Sequence, residues 1–483
     1  MDSRQPTFKR QLSKTHVWAL AFGCIIGWGA FINPGKKFLP NSGVDGTAIA
    51  MVLGGIVMMI IAFAYAYMVP RHPKSGGEFN YTKNYFGKKA AYLCAWFLLA
   101  AYLTNVPMNS TAISLIVDGL DGDAEILKWG FHYTVAGFDV WMGEMVFAMA
   151  VLILFGLLNI WGVKKAGYIQ TILSSALALS VLTLTITVFV SSKAMLSNLE
   201  PVWGFDRAAA IAAGATTETI SQFAHVGRQG ALSAILATFA IAPWAYVGFE
   251  TIPQAVEEFK FPHSKVLFIM AVAILFGCVV YIANNTVAAI AVANWPERVM
   301  AGEWVLLIAA EEMLGLTGKL LIGISVSCAV LSGIMGFYLA SSRLMFSMSR
   351  DGYLPDIFSK IHPRYGTPYN ALLFCILISL SGPILGREAL GWFVDMSAIG
   401  ASIGFLFTCA STLKSIKHHG DGTPFLRIMA CLGIVFSLSF ITLQLVPVPG
   451  LSGVHFGQES YLMLLVWICI GIAFYMHQHK NFI

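Results

Sequence analysis

Charged residues are scarce in this sequence. Of its 483 residues, 11% are Asp, Glu, Lys or Arg and 57% are hydrophobic, whereas soluble proteins carry about 25% charged residues. Apolar runs of about 20 residues, long enough to cross a bilayer as helices, recur from one end of the chain to the other. The alternation of apolar and polar residues that marks a membrane β-barrel is absent. The sequence therefore predicts an all-α integral membrane protein surrounded by a lipid bilayer.

Cysteine is absent from the polar loops. All eight cysteines fall within apolar runs, so the sequence offers neither a disulfide framework nor a zinc spacing. None of the eleven histidines lies in the middle of an apolar run, and the motifs H-E-x-x-H and G-x-S-x-G do not occur. These absences argue against an intramembrane enzyme, and we expect no cofactor and no metal site. The net charge of +5 comes from short loops and does not indicate nucleic-acid binding.

Twelve helical spans can be placed along the chain. They cover residues 15–38, 47–69, 89–117, 140–161, 167–190, 232–258, 265–291, 318–343, 369–386, 390–412, 425–446 and 460–477. With the N-terminus inside, most Lys and Arg residues fall in cytoplasmic segments, so the positive-inside rule predicts both termini in the cytoplasm. The predicted units are a cytoplasmic tail 1–14, spans one to five in 15–190, an extracellular loop 191–231 with weak helical patterning, spans six to ten in 232–412, and the last two spans with a short cytoplasmic end in 413–483.

Two of these spans contain residues that break helices. The first reads GCIIGWGAFINPG from Gly23 to Gly35, and the sixth reads APWAYVGFETIP from Ala242 to Pro253. Each glycine weakens a helix by about 1 kcal/mol relative to alanine, and a proline removes a backbone hydrogen bond. The two breaks lie one five-span unit apart, which is typical of a transporter built from inverted repeats with its site at the bilayer midplane. Close packing of glycine-rich helices is the alternative explanation.

Five motifs, in the right order, resemble those of the amino acid–polyamine–organocation (APC) permeases, in their amino acid permease branch. The resemblance covers nearly the whole chain. The motifs are Gly23-x-x-Ile26-Gly27-x-Gly29-x-Phe31; Pro73-x-Ser75-Gly76-Gly77-x-Phe79-x-Tyr81; Asn159-x-x-Gly162-x-Lys164 with Gln170; Ala245-Tyr246-x-Gly248-Phe249-Glu250 with Glu257 and Glu258; and Ser342-Arg343, Arg350-Asp351-Gly352-x-Leu354-Pro355 and Gly366-Thr367-Pro368. Trp28 and Ala30 depart from the family pattern.

This resemblance implies twelve transmembrane helices in a LeuT-like 5+5 inverted repeat with discontinuous helices one and six, followed by two C-terminal helices. It also implies a secondary active transporter of the plasma (inner) membrane that works by alternating access.

The break in span one has the chemistry of a zwitterion site. The half-helix after the break would present the free N–H groups of Gly27, Trp28 and Gly29 to a substrate carboxylate. The half-helix before it would present the carbonyl of Ile25 to an ammonium group. The resemblance implies the same roles.

The resemblance implies that residues of the sixth span also belong to this site. It implies that the carbonyls of Trp244 and Val247 also bind the ammonium group. The Trp244 ring either covers the substrate or serves only in packing.

Polar side chains inside the other spans have two explanations each. Asn105 and Met108 match a spacing that lines the pocket in related exchangers, yet an intramembrane asparagine also joins helices. Ser327 and Ser332 could serve a sodium site, although serine in a helix usually bonds its own backbone.

Intramembrane carboxylates are functional candidates by default. Glu250 is the first candidate for coupling, gating or substrate binding, and the alternative is that it caps the second half-helix. Asp395 is a further coupling or gating candidate, but it and Glu144 lie near the outer ends of their spans and could instead snorkel to the interface or pair structurally. Glu258, with Glu257, is expected to latch a cytoplasmic gate.

The sequence leaves the substrate and the coupling ion open. An aromatic and apolar pocket favours neutral or aromatic amino acids, while Glu250 keeps cationic amino acids, polyamines and amines as the alternative. A lysine that replaces sodium in some relatives corresponds to Leu177 here, so coupling to H⁺, to Na⁺ or by exchange stays open. A channel and a transporter-like nutrient sensor are the alternatives from other classes.

A disulfide-linked partner subunit is not expected. Some animal relatives bind one through a cysteine between spans three and four, and residues 118–139 contain none. We expect a monomer or a homodimer.

Overall fold

The computed structural model describes residues 8–191, 194–223, 230–447 and 455–479. Within these ranges the chain is almost entirely helical, and the only sheet is one short hairpin. The predicted tail 1–14, loop 191–231 and C-terminal end therefore lie partly outside the described residues.

The first part of the chain forms six helices. Their bounds are Lys14–Ile25 (α1), Gly29–Asn33 (α2), Leu39–Arg71 (α3), Gly77–Asp121 (α4), Met142–Ile160 (α5) and Val163–Val190 (α6). The Ser13 hydroxyl caps α1 by accepting a hydrogen bond from the His16 N–H at 3.2 Å. A π-helical turn, Pro34–Phe38, joins α2 to α3 directly. The predicted loop between the first two spans is therefore helical, with a kink at Gly43, where φ is +63°.

The hairpin lies between α4 and α5 and was not predicted. Its strands, His132–Val135 (β1) and Phe138–Trp141 (β2), are antiparallel. Ala136 and Gly137 connect them with φ values of +48° and +89°, the positive values that a two-residue hairpin turn requires.

The middle of the chain contains the second broken helix. Its elements are Arg207–Ala212 (α7), Ile220–Phe223 (α8), Ala231–Phe239 (α9), Ala242–Ala245 (α10), a 3₁₀ helix at Phe249–Glu258, and Val266–Ala291 (α11). The short helices α7 and α8 agree with the weak helical pattern of loop 191–231.

The last part of the chain adds eight helices. They are Trp295–Met300 (α12), Val305–Leu314 (α13), Leu316–Arg350 (α14), Tyr369–Ser379 (α15), Gly382–Leu385 (α16), Ala389–His419 (α17), Pro424–Leu445 (α18) and Gln458–His479 (α19). Helices α12 and α13 were not predicted, because they are too short to register as spans.

Nine helices among the described residues are long and apolar enough to cross a membrane, or ten if the bent pair Ala231–Phe239 and Ala242–Glu258 is one span. The spans of α4, α14 and α17 bury most of their side chains, and these helices pack on one another. Helices α18 and α19 bury few of theirs and lie at the periphery. The two broken helices pack against this central group.

Candidate functional site

The first helix is interrupted where the sequence predicts. Helix α1 ends at Ile25, and α2 begins at Gly29. The N–H groups of Ala30 and Phe31 donate to the carbonyls of Gly27 (3.3 Å) and Trp28 (3.0 Å). In the described part of the chain the N–H groups of Gly27 and Trp28 themselves have no hydrogen-bond acceptor. The break therefore ends in unpaired donors at the start of a helix, which suits a negative group.

The second interruption lies in the sixth predicted span. Helices α9 and α10 are separated at Ala240 and Ile241, and the segment bends by 47° between α9 and the part that follows. Gly248 then has a φ of +142°, and the chain continues as the 3₁₀ helix. A side chain at Gly248 would be strained, because L-residues rarely adopt this φ.

The two interruptions lie against each other. A Cβ atom on Gly248 would lie 2.6 Å from the backbone nitrogen of Ile25. The ring of Trp244 lies directly on Gly29, and the Trp28 and Trp244 rings are 6.0 Å apart between centroids. Both tryptophans are more than nine-tenths buried. Trp244 thus packs on the start of α2, beside the first break.

The three carbonyls predicted to bind ammonium have different surroundings. That of Ile25 accepts a hydrogen bond from the Tyr281 hydroxyl at 3.3 Å. That of Trp244 accepts from the Val247 N–H at 3.1 Å. Val247 itself lies buried beside Gly248. A carbonyl oxygen has two lone pairs, so each of these groups keeps acceptor capacity for a ligand.

Asn105 joins two helices. Its side-chain amide donates to the Ala101 carbonyl at 2.7 Å and to the Ser397 hydroxyl of α17 at 2.6 Å. This geometry favours the interhelical role over substrate binding. Met108 is buried on the same helix, α4.

Asn109 is a candidate site residue that was not predicted from the sequence. Its amide nitrogen donates to the Asn105 carbonyl at 2.8 Å, while its oxygen Oδ1 is buried and has no partner. A Cβ atom on Gly27 would lie 3.2 Å from this oxygen, and one on Gly333 of α14 would lie 3.0 Å from Asn109 Nδ2. An unpaired acceptor therefore lies beside the unpaired donors of the first break. Its position next to Asn105 was visible in the sequence, but its orientation was not.

Glu250 is fully buried in the first turn of the 3₁₀ helix. Its Oε2 accepts a hydrogen bond from the Gly248 N–H at 2.8 Å, and its Oε1 has no partner. One oxygen thus performs the capping role that the sequence analysis gave as the alternative. The other oxygen remains available for a proton or a cation.

Glu258 lies at the C-terminal end of the same segment and forms a buried ion pair. Its Oε1 is 2.9 Å from Arg343 Nε, and both side chains are 1% exposed. Glu257 pairs in the same way with Arg350 at 2.9 Å. The N–H groups of Gln11 and Leu12 donate to the Glu258 carbonyl at 2.7 and 2.8 Å.

The residues after Glu258 make further contacts with the segment before α1. The Lys260 N–H donates to the Leu12 carbonyl at 2.9 Å, and Leu12 and Phe259 form a parallel bridge. The segment before α1 is therefore tied to the end of the 3₁₀ helix.

The other predicted residues are dispersed. Asp395 accepts a hydrogen bond from the Ser460 hydroxyl at 2.6 Å and so links α17 to α19. Glu144 and Asp118 both pair with Arg387.

The two serines of α14 do not come together. Ser332 donates to its own helix at Ala329 (2.9 Å) and to the Gly23 carbonyl (3.1 Å), whereas Ser327 lines a separate cavity with Leu120 and Lys319. Leu177 is fully buried.

Comparison with known proteins extends these observations. A family model described as "Amino acid permease" matches residues 12–474. The chain is 28% identical over 374 residues to "Large neutral amino acids transporter small subunit 2" of Mus musculus and 29% identical over 376 residues to "Asc-type amino acid transporter 1" of Mus musculus, covering 77% of this chain and 64% of each relative. It is 23% identical over 498 residues to "Methylthioribose transporter" of Bacillus subtilis (strain 168), covering 99% of this chain and 96% of that relative.

The chain thus spans 64% of the length of the two mouse proteins and nearly all of the bacterial one. The family match includes both broken helices and all five sequence motifs. All three relatives carry the name of a transporter. The chain belongs to the amino acid permease family of the amino acid–polyamine–organocation superfamily, a family of multi-pass membrane transporters.

Proposed function

We propose that this permease is a secondary active transporter of amino acids that works by alternating access in the plasma membrane, with both termini in the cytoplasm. The proposed architecture has twelve spans, of which the first ten form two inverted repeats. The observation that carries the proposal is the contact between the two breaks, where the Trp244 ring lies on Gly29, next to Gly27 and Trp28, whose N–H groups are free. A substrate carboxylate would bind these donors, and the Ile25, Trp244 and Val247 carbonyls would bind its ammonium group.

Neutral and aromatic amino acids are the favoured substrates. Trp28 and Trp244 form an aromatic surface at the breaks, and the names of both mouse relatives identify amino acid transporters. Cationic amino acids and amines are the second candidate, because the free Oε1 of Glu250 lies unpaired at the second break. Methylthioribose joins the panel of compounds because the bacterial relative is named for it.

A flux assay tests the proposal. The purified permease in proteoliposomes would be offered radiolabelled neutral, aromatic and cationic amino acids, polyamines and methylthioribose, with and without sodium. We expect saturable uptake of neutral amino acids. Uptake of none of the amino acids by a folded protein would refute the proposal. Uptake that does not saturate would favour a channel, and binding without flux would favour a sensor.

We also propose that the permease needs no disulfide-linked partner subunit. The eight cysteines are free, and none belongs to residues 118–139. The permease would act as a monomer or a homodimer.

Asn109 should contribute to substrate affinity. Its free Oδ1 lies beside Gly27 at the first break, and as an acceptor it would accept a hydrogen bond from the substrate ammonium group. A hydrogen bond to a charged group contributes about 1.5–3 kcal/mol, so Asn109→Ala is expected to weaken binding about 10- to 100-fold. Isothermal titration with the transported amino acid would measure the change.

Asn198→Ala is the matched control, because this asparagine also donates to a backbone carbonyl, that of Ile290 at 3.1 Å, but lies away from the breaks. It should leave affinity unchanged. Equal affinities for the Asn109→Ala variant and the unmodified protein would remove Asn109 from the site.

A further inference from the structure

A chain of buried polar side chains connects the start of α4 to the second break. Glu78, in the first turn of α4, is fully buried. The Tyr65 hydroxyl donates to its Oε1 at 2.6 Å, and the Gln254 amide donates to its Oε2 at 2.7 Å. We propose that Glu78 is a proton-carrying residue of the transport cycle, loaded and unloaded in step with the movement of the second broken helix. This inference rests on the transport function proposed above.

Glu78 differs from the carboxylates of Glu257 and Glu258 because no cationic side chain among the described residues pairs with it. Glu257 and Glu258 are paired with Arg350 and Arg343. Among the described residues, neither Glu78 nor Glu250 forms an ion pair. The titratable groups that interact with Glu78 are all neutral or acidic; they are Tyr65 from α3, Tyr81, Cys94 and Tyr102 from α4, and Glu250 from the 3₁₀ helix. An ionised carboxylate buried without a cation is costly, and a bound proton removes its charge.

Gln254 is placed to respond to that proton. Its Nε2 donates to Glu78, and its Oε1 is buried without a partner. A half-turn of the amide would bring Oε1 to Glu78, where it could accept the O–H of a protonated carboxyl group. Gln254 can therefore satisfy both states of Glu78.

The same amide extends the network to the second break. Gln254 Nε2 lies 3.4 Å from the Tyr102 hydroxyl, which donates to the Glu250 carbonyl at 3.2 Å. A change in the protonation of Glu78 is thereby transmitted to the backbone that would bind the substrate ammonium group.

Access to Glu78 is controlled by a tightly packed glycine turn. Gly76 and Gly77 have φ values of +98° and +31°, and side chains there would collide with Ser347 of α14 and Pro253 of the 3₁₀ helix. This packing separates Glu78 from the cytoplasmic surface. When the 3₁₀ helix moves away from the turn, water reaches the carboxyl group of Glu78. The O–H bond breaks and water takes the proton. The carboxylate then accepts a hydrogen bond from the Gln254 amide.

Proteoliposome assays with Glu78→Gln test this role. Glutamine keeps the shape and hydrogen bonds of a protonated glutamate but cannot release a proton. With a radiolabelled mixture of neutral amino acids, we expect Glu78→Gln to retain exchange at equal pH on both sides. Its accumulation under an inward proton gradient should fall to the level without a gradient, and its uptake should no longer rise as external pH falls. Glu303→Gln, at a half-buried ion pair with Arg298, is the control and should keep the wild-type profile.

Several outcomes would overturn the inference. One is that Glu78→Gln still accumulates amino acids under a proton gradient, whether or not Glu250→Gln loses this accumulation. Another is that accumulation by the wild-type protein does not depend on the proton gradient although exchange occurs. That result would overturn the role of Glu78 but not the proposed transport function. Absence of all wild-type exchange refutes the transport function itself. If Glu78→Gln is inactive in both assays, Glu78→Asp is measured next, because aspartate restores a titratable group. Gradient-driven accumulation by Glu78→Asp supports the role of Glu78. Exchange by Glu78→Asp without gradient-driven accumulation overturns it.

Discussion

Replacing Gly29 by leucine is expected to abolish substrate binding while leaving a folded, membrane-inserted protein. A Cβ atom at this position would collide with the Trp244 ring and lie 3.0 Å from the Asn33 amide. The isobutyl group would then displace Trp244 and fill the space in front of the free N–H groups of the first break. Binding of the transported amino acid, measured by titration or by thermal shift, should become undetectable. Gly27→Leu should act in the same way, because its side chain would extend toward Asn109 Oδ1.

Gly391→Leu is the matched control for these two variants. Gly391 is exposed on α17, and a Cβ atom there would meet nothing within 4 Å. Leucine also has the higher helix propensity, so this variant should fold and bind normally. If Gly29→Leu and Gly27→Leu bind the amino acid as well as the control does, the carboxylate does not bind at the first break.

Removing one partner of the Arg343–Glu258 pair should have the largest effect on stability. Both side chains are 1% exposed, and removing one partner of a buried pair costs about 3–5 kcal/mol because the other charge is left uncompensated. Arg343→Met keeps much of the side-chain volume and removes the charge. We expect its thermal unfolding midpoint to fall clearly below that of the unmodified permease in the same detergent.

Two further variants separate the charge from the packing. The double variant Arg343→Met/Glu258→Leu leaves neither charge of this pair unpaired and should recover much of the lost stability. Arg298→Met breaks an ion pair with Glu303 in which both side chains are 37% exposed, so it should change the stability by less than about 1 kcal/mol. A double variant no more stable than Arg343→Met would contradict the charge explanation.

Much of the helical pattern was predictable, because it depends on local chemistry. The long apolar runs gave helices near the predicted positions, and the glycines after Gly23 and the proline at Pro243 fall where the two helices are interrupted. The hairpin at 132–141 and helices α12 and α13 were missed because they are short. Their stability comes from packing on neighbouring elements, which hydropathy along the chain does not record.

The site was predictable only where the backbone forms it. Asn109 and Glu78 were missed because their importance depends on which way each side chain points inside a buried helix. Ser327 and Ser332 were grouped as one possible sodium site, yet residues five apart on a helix lie about 140° apart around its axis. Helical geometry alone could have separated these two serines.

The connection between the segment before α1 and the end of the 3₁₀ helix restricts how the permease can open. Leu12 and Lys260 are joined through backbone hydrogen bonds, as are Leu12 and Glu258, so the start of the first broken helix and the end of the second are fastened together. A tilt of one helix must carry the other with it for as long as these bonds hold. We therefore expect the two joined ends to move as one unit rather than independently and to bend at the same breaks that would hold the substrate.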